Sequence, residues 1–377
     1  MSDRRGFSPE PSITLDLSRR KSRSAAIARG AQERIEPYAS ALRISIDQLG
    51  KNRLARAGSL VLACIVLTAV FADLFASQLP IMCKLHGTVY VLPNVVRPAA
   101  LAGYDCARVA DEAEAGDWSV SPLVKFGPQQ THARGHADVL VPPMHGGHPL
   151  GTDAHGRDVF ARLVHGTRTV LGIGAIAVFA FAGIGILLGS LAGFFGGMLD
   201  AIVARVIETL TSFPTLIFVL VVQAVLPNPT TLTLLVAIGL TRWTEVARLV
   251  RAEVLLVSAQ DYVTAARALG ASPGRVLRRH VMPNAVAPAL VAATFGIASV
   301  ILIEAALDFL RVGVPDTASS WGETLSEARD QPGAWWLLAF PGALVFVTVA
   351  ALNLVGEALR DALDPRLRDG AYGAVGR

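Results

Sequence analysis

Residues 261–284 read DYVTAARALGASPGRVLRRHVMPN, a polar and basic interval set between two hydrophobic stretches. Ala265 and Ala266 lead through Arg267 to Gly270, and Ser272-Pro273 opens a second short segment that runs to Pro283. Serine suits a helix N-cap and proline suits the first helical position, where a missing N–H costs nothing. The spacing therefore predicts two short helices joined at Gly270, a residue free to adopt the turn conformation. Across the second helix Val276, Leu277, His280 and Val281 recur with a helical period, while Arg275, Arg278 and Arg279 form a cationic set. One face can insert into an apolar body while the other meets carboxylates, which is the layout of a docking elbow for a partner outside this chain.

The rest of the chain says what carries the elbow. Of 377 residues 52% are hydrophobic and 17% charged, and the mean hydropathy is +0.48, which marks a polytopic membrane protein rather than a soluble domain. A bilayer crossing needs about 20 apolar residues, and residues 58–77, 168–195, 204–226, 288–309 and 334–355 supply them. A sixth span over 230–257 is interrupted by Arg242, Glu245, Arg248 and Arg251. Positive charge sets the orientation: the first 57 residues hold twelve Lys and Arg against six Asp and Glu, and more arginines flank the elbow. Both regions belong inside. The expected layout is a basic cytoplasmic tail (1–57), a first span (58–77), an outer insertion (78–165), a core of five further spans (166–360) holding the elbow (258–285), and a cytoplasmic tail (361–377). The first span reads as a retained helix, not a cleaved signal. The net charge of +4 then reflects topology and contact with anionic lipid, not nucleic-acid binding.

The outer insertion is long and rich in Pro, Gly and His, as expected of a small folded unit or an extended cap. Cys83 and Cys106 both fall in it, on the oxidising side, and are expected to form a disulfide worth about 3 kcal/mol on chain-entropy grounds, two free thiols being the alternative. Cys64 lies in the first span as a packing residue. Seven of the eight histidines are also outside, but none forms a set with ligand spacing, so no metal site is expected. Within the spans, ionisable groups are costly and invite a functional reading. Glu208, shortly before a kink expected at Pro214, and Glu304 with Asp308, one turn apart, are candidates to line a substrate passage. For the last two, a structural ion pair with Arg311 is the plainer reading. Gly185, Gly189 and Gly193 repeat every fourth residue and predict close approach of another helix, from this chain or from a partner. Trp321, Trp335 and Trp336 fit an interfacial aromatic belt. No GxxxxGK[ST] phosphate cradle is present, so the motive energy must come from elsewhere. A secondary transporter would need its own ion site and usually an inverted repeat, and a membrane enzyme would need a set such as HExxH; neither is read here.

The elbow resembles the cytoplasmic coupling loop of importer-type ABC permeases, whose pattern is Glu-Ala-Ala, three residues, Gly, nine residues, then Ile-x-Leu-Pro. Thr264, Ala265, Ala266, Gly270 and Pro283 stand at those positions, with Thr264 in place of the Glu and His280-Val281-Met282 in place of Ile-x-Leu. The run from His148-Pro149-Leu150-Gly151-Thr152-Asp153 through Gly156-Arg157-Asp158-Val159 to Arg162-Leu163 and Gly166-Thr167-Arg168 is similar to a motif of the peptide and nickel branch of that family. Here Gly151 and Gly156 are expected to set a turn before an amphipathic lead-in, fixed by a local ion-pair network of Asp153, Arg157, Asp158 and Arg162, with direct substrate contact by these four as the alternative. Ser320-Trp321-Gly322 and the closing segment 356–366 match further family signatures, and the earlier part of the insertion is loosely similar to the outer segment of microcin C and oligopeptide permeases. The resemblance implies an all-α membrane fold with six transmembrane helices around a type I, methionine-importer-like core, multi-pass in the bacterial inner membrane with both termini cytoplasmic. It implies import of di- or oligopeptides by alternating access, with nickel or another small solute as the alternative. The implied partners are a second permease, two ABC ATPase subunits that carry ATP and Mg, and a periplasmic solute-binding protein. This chain itself would hold no cofactor and no catalytic residue. Ala265, Ala266, Gly270, Arg275, Arg278, Arg279, His280 and Pro283 would couple ATP hydrolysis to transport.

Overall fold

The computed structural model describes residues 52–131, 139–312 and 319–363. Most of the basic N-terminal tail, His132, His136 and the last three residues of the C-terminal signature (364–366) lie outside them. The first helix, α1 (Arg53–Val70), is capped by the Asn52 side chain, which accepts from the backbone N–H groups of Leu54 and Ala55. A short α2 (Ala72–Phe75) follows. The insertion is a folded unit: β1 (Met82–Leu85), β2 (Thr88–Val91), α3 (Pro93–Val96), α4 (Cys106–Asp111) and β3 (Trp118–Val120), with the antiparallel sheet in the order β2-β1-β3. Cys83 and Leu85 point from β1 into a small core with Leu79, Leu101 and Val109.

The membrane part begins with α5 (Val159–Phe195), whose first two turns are the expected lead-in. Then come α6 (Gly197–Thr211) and α7 (Thr215–Val225), bent by 78° at the break before Pro214 and Thr215. The kink expected at Pro214 is thus a full break into two helices, because proline removes a donor and its ring clashes with the preceding turn. Next is α8 (Thr231–Ser258), begun by a Thr230–Thr233 capping box. The elbow comprises α9 (Asp261–Ala268), α10 (Pro273–Val276), a wider π-type turn over Leu277–Val281 and α11 (Met282–Ala285). The chain then runs through α12 (Ala287–Phe309), the short α13 (Trp321–Asp330) and α14 (Trp336–Leu363).

Among the described residues four helices, α1, α5, α12 and α14, are long and apolar enough to cross a bilayer, or five crossings if the bent pair counts as one. α8 matches them in length yet carries Arg242, Glu245, Arg248, Arg251 and Glu253, so apolar length alone does not reach the expected six. It is nonetheless a core helix. A Cβ added at Gly185 would lie 2.7 Å from Val246 Cβ, one at Gly189 2.5 Å from Ala247 O, and one at Gly193 2.8 Å from Arg251 O. The glycine stripe of α5 thus lets the α8 backbone approach closely, an intramolecular use of small residues. α8 in turn contributes Leu234, Ile238, Val246, Val250 and Val254 to the main core. On the other side α12 packs against both α5 and α14, and α1 lies on α14 where Gly58 meets Leu354.

The aromatic belt needs correction. Trp321 and Trp336 are buried, and their Nε1–H groups donate to Leu163 O at 3.1 Å and Thr152 O at 3.0 Å; Trp335 is exposed. An indole buried with its N–H satisfied is a packing anchor, and these two tie the outer turns to α5 and α14.

Candidate functional site

Two polar constellations stand at opposite ends of the helical body. At the elbow, Val263, Val276, Leu277, Val281 and Ala285 are buried against Val250, Val254 and Val257 of α8, so the predicted inserting face inserts. Gly270 makes the turn at φ +83°. The Ser272 carbonyl accepts from the N–H groups of Arg275 and Val276, starting α10 through backbone alone. Asn284 Nδ2 donates to His280 O at 3.0 Å and to the Tyr262 hydroxyl at 3.2 Å, bracing the two halves of the elbow. Arg267 lies over the Phe194 ring at 5.2 Å, which ties the elbow to the end of α5. Ala265, Gly270, Arg275, Arg278 and Arg279 are exposed, while Ala266, His280 and Pro283 are half-buried. The three arginines make no ion pair among the described residues. Leu269, at the apex, is 88% exposed. Thr264 turns its hydroxyl back to Gln260 O at 3.3 Å and offers no charge.

The second constellation, at the start of α5, is closed on itself. Gly151 and Gly156 turn the chain at φ +82° and +74°, which brings Asp153, Arg157 and Arg162 together. Arg157 Nε donates to Asp153 Oδ2 at 2.6 Å and its Nη2 to Glu327 Oε1 at 2.8 Å. Arg162, wholly buried, pairs with Asp153, with Glu323 Oε2 at 2.8 Å and with Glu327 Oε1 at 3.2 Å. The network is therefore not local: two of its three carboxylates come from α13. Asp158 takes a different partner, His148 Nδ1 at 2.7 Å, while its other oxygen caps α5 through the Ala161 N–H. His148 also stacks on Phe126 with centroids 4.4 Å apart. Three carboxyls face two guanidiniums here. Burial, with Asp153 beside it, pushes Glu327 up to about 7, and burial also raises Asp153. Asp153, His155 and Glu327 converge to within 4.8 Å, but the two guanidiniums already hold the oxygens a cation would need, and Arg157 Nη2 lies 3.3 Å from His155 Nδ1. This is an ion-pair clasp, not a metal cage.

The sequence profile of the family described as "Binding-protein-dependent transport system inner membrane component" matches residues 185–369, the stretch that holds the elbow. The di/tripeptide transport system permease protein DppC of Pseudomonas aeruginosa is 40% identical over 239 residues, covering 62% of this chain and 78% of the relative. The oligopeptide transport system permease protein OppC of Bacillus subtilis is 39% identical over 222 residues, covering 59% and 72%. The chain belongs to this family of transport-system inner membrane components. A solved chain of the inward-facing MetNI methionine ABC transporter aligns at 19% identity with a TM-score of 0.45, over 54% of this chain and 96% of that one.

For a member of this family the remaining predicted site residues fall unevenly. Glu208 lies exposed on α6 and pairs with Arg205 at 3.0 Å, one turn away. Glu304 and Asp308 are buried between α12 and α13, where a Cβ at Gly322 would come within 2.6 Å of Asp308 Cβ. They line no open surface of this chain, and Ser320, the N-cap of α13, donates to Asp308. Arg311 serves neither: at φ +59° it turns away past the helix end and pairs with Asp330. The expected disulfide is absent, since Cys83 and Cys106 are both buried and free. Cys83 points into the insertion core, whereas Cys106 opens α4 with its Sγ toward Ser77 O at 4.0 Å. Burial raises both thiols, Cys106 to about 11, so neither is a ready nucleophile. Sequence reading missed Glu323, Glu327 and Leu269. The first two stand at i,i+4 on a helix capped by Ser320, a signal that matches two acceptors to the two arginines of the motif.

Proposed function

We propose that this chain is one of two permease subunits of a bacterial inner-membrane importer for di- or oligopeptides. Two ABC ATPase subunits, which carry the ATP and Mg, would dock on the cytoplasmic elbow, and a periplasmic solute-binding protein would deliver substrate from outside. Both termini then lie in the cytoplasm, and the chain itself holds no cofactor and performs no bond chemistry. The observation that carries this reading is the elbow. Its apolar face is continuous with the α8 core, so a push on α9–α11 is transmitted to α8, while Leu269, Arg275, Arg278 and Arg279 are left facing outward. The peptide names of the relatives support peptide over the nickel alternative.

Mechanically, ATP-driven closure of the partner subunits would move the elbow, and α8 would carry the displacement to α5 through the glycine stripe, where the two backbones touch and little soft side chain can absorb it. Nucleotide can shift the access equilibrium only by as much as it binds one state better than the other. The test is the assembled transporter carrying Arg278→Glu with Arg279→Glu. Peptide-stimulated ATP hydrolysis is expected to be lost while the membrane subunit still purifies folded; stimulation at the wild-type level would refute docking through this face.

A further inference from the structure

The first crossing is short. Arg53 and Arg56 occupy its start, and residues 57–70 rise only about 21 Å, against a hydrocarbon core of about 30 Å. Something beyond Val70 must complete the apolar band. Phe71 and Phe75, around α2, are exposed, and a knuckle of the insertion lies beside them. Asn94, buried in α3, donates through Nδ2 to Asp73 O at 2.6 Å and pins the two short helices together.

The exposure pattern of this knuckle is the reverse of a water-facing turn. Pro93 and Asn94 are buried, whereas Leu92 is exposed, Val95 is 54% exposed and Val96 71% exposed. Both flanking residues, Leu92 at φ +52° and Arg97 at φ +49°, hold left-handed backbone. That conformation costs a non-glycine residue about 1–2 kcal/mol, and it turns the valines outward. Arg168 pairs with Asp73 at 2.9 Å beside it and donates to Ala69 O and Val70 O, which sets charged groups at this level, where span gives way to water.

We propose that residues 92–96 seat in the outer leaflet, with Leu92, Val95 and Val96 entering the boundary between acyl chains and headgroups beside Phe71 and Phe75, and Arg97 at the level of the lipid phosphates. The occupant is phospholipid because the patch continues the lipid-facing side of a crossing too short for the bilayer, and because an apolar knuckle followed by a cation is the pattern of an interfacial contact. The insertion is then held against the membrane as well as by its tether to α1. This inference rests on α1 crossing the bilayer and not on the peptide or ATPase reading.

The test uses the full chain in lipid nanodiscs with Cys64→Ser, leaving Cys83 and Cys106 buried, and with Val96→Cys or, separately, Val95→Cys labelled with an environment-sensitive nitrobenzoxadiazole dye. Both positions are exposed, so labelling removes no packing. Blue-shifted emission is expected, with quenching by lipid that carries a nitroxide near its headgroup several-fold stronger than by aqueous iodide. Asp111→Cys, at the exposed end of α4, is expected to show the opposite order. Iodide reaching the knuckle as readily as Asp111→Cys would overturn the proposal by making the patch a free aqueous surface. Protection from both quenchers would overturn it too, since another permease, a receptor or a second copy would then cover the valines. No outcome depends on ATP or peptide, so failure here leaves the import reading standing.

Discussion

The clasp and the elbow concentrate charge at opposite ends of the same helical body, yet they treat it in opposite ways. In the clasp each arginine meets carboxylates from two directions, Asp153 from the same turn and Glu323 and Glu327 from α13, and water is excluded. In the elbow Arg275, Arg278 and Arg279 share a surface with an exposed leucine and have no partner among the described residues. Charge satisfied within the chain holds the fold together, whereas the charge of the elbow is left facing outward, as the proposed docking role requires.

The sharpest way to break this contrast is Arg162→Met. Removing one member of a buried charge network leaves uncompensated carboxylates and costs about 3–5 kcal/mol, so thermal unfolding in detergent should shift far below that of the parent chain. An unshifted transition would mean that the clasp is not the closed unit described. A double-mutant cycle with Glu323→Gln should recover part of the loss, because the second change removes one of the stranded charges.

Next in size is the pH response of the same cluster. Glu327 ordinarily titrates at 4.5 and here is pushed up to about 7 by burial and by Asp153. The folded chain therefore holds a proton that the unfolded chain releases between those values. Stability from this group is present in full below the ordinary value and is lost as pH rises through about 7. The groups facing Glu327 are Asp153, His155, Arg157 and Arg162, with Glu323 on its own helix. Glu327→Gln mimics the protonated form and should flatten the dependence of the unfolding midpoint across that window. If the variant keeps the parent's slope, the proton is not held on Glu327, and Asp153, which burial also raises, carries the response instead.

Legibility followed range along the chain. The elbow was readable because its determinants are neighbours: Ser272-Pro273 starts a helix, Gly270 turns, and the period of Val276, Leu277 and Val281 assigns the inner face. The clasp was half readable. Its motif arginines announce themselves, but Glu323 and Glu327 lie about 160 residues further on, and Asp158 proved to belong to His148. Spacing suggested Arg311 for Glu304 or Asp308, yet the helix ends at that point and its backbone turns the side chain toward Asp330. The glycine stripe predicted a close neighbour without saying which; only packing identifies α8. The disulfide was argued from compartment, which speaks to redox chemistry and not to where two side chains point.

The smallest expected effect on folding falls at the apex of the elbow, and it separates the two regions most cleanly. Leu269 is 88% exposed and buries nothing within the chain, so Leu269→Ser should leave thermal stability within about 0.5 kcal/mol of the parent, as for other surface sites. If the leucine fills a pocket on an ATPase subunit, the same change removes about 1.5–3 kcal/mol of burial from the assembled state, weakening co-purification of the subunits and peptide-stimulated ATP hydrolysis together. The clasp variants should show the reverse, a large loss of stability with docking retained by whatever fraction remains folded. Should Leu269→Ser destabilise the isolated subunit, the apex would be packing against its own chain, and the distinction between satisfied and outward-facing charge would no longer mark where the partner binds.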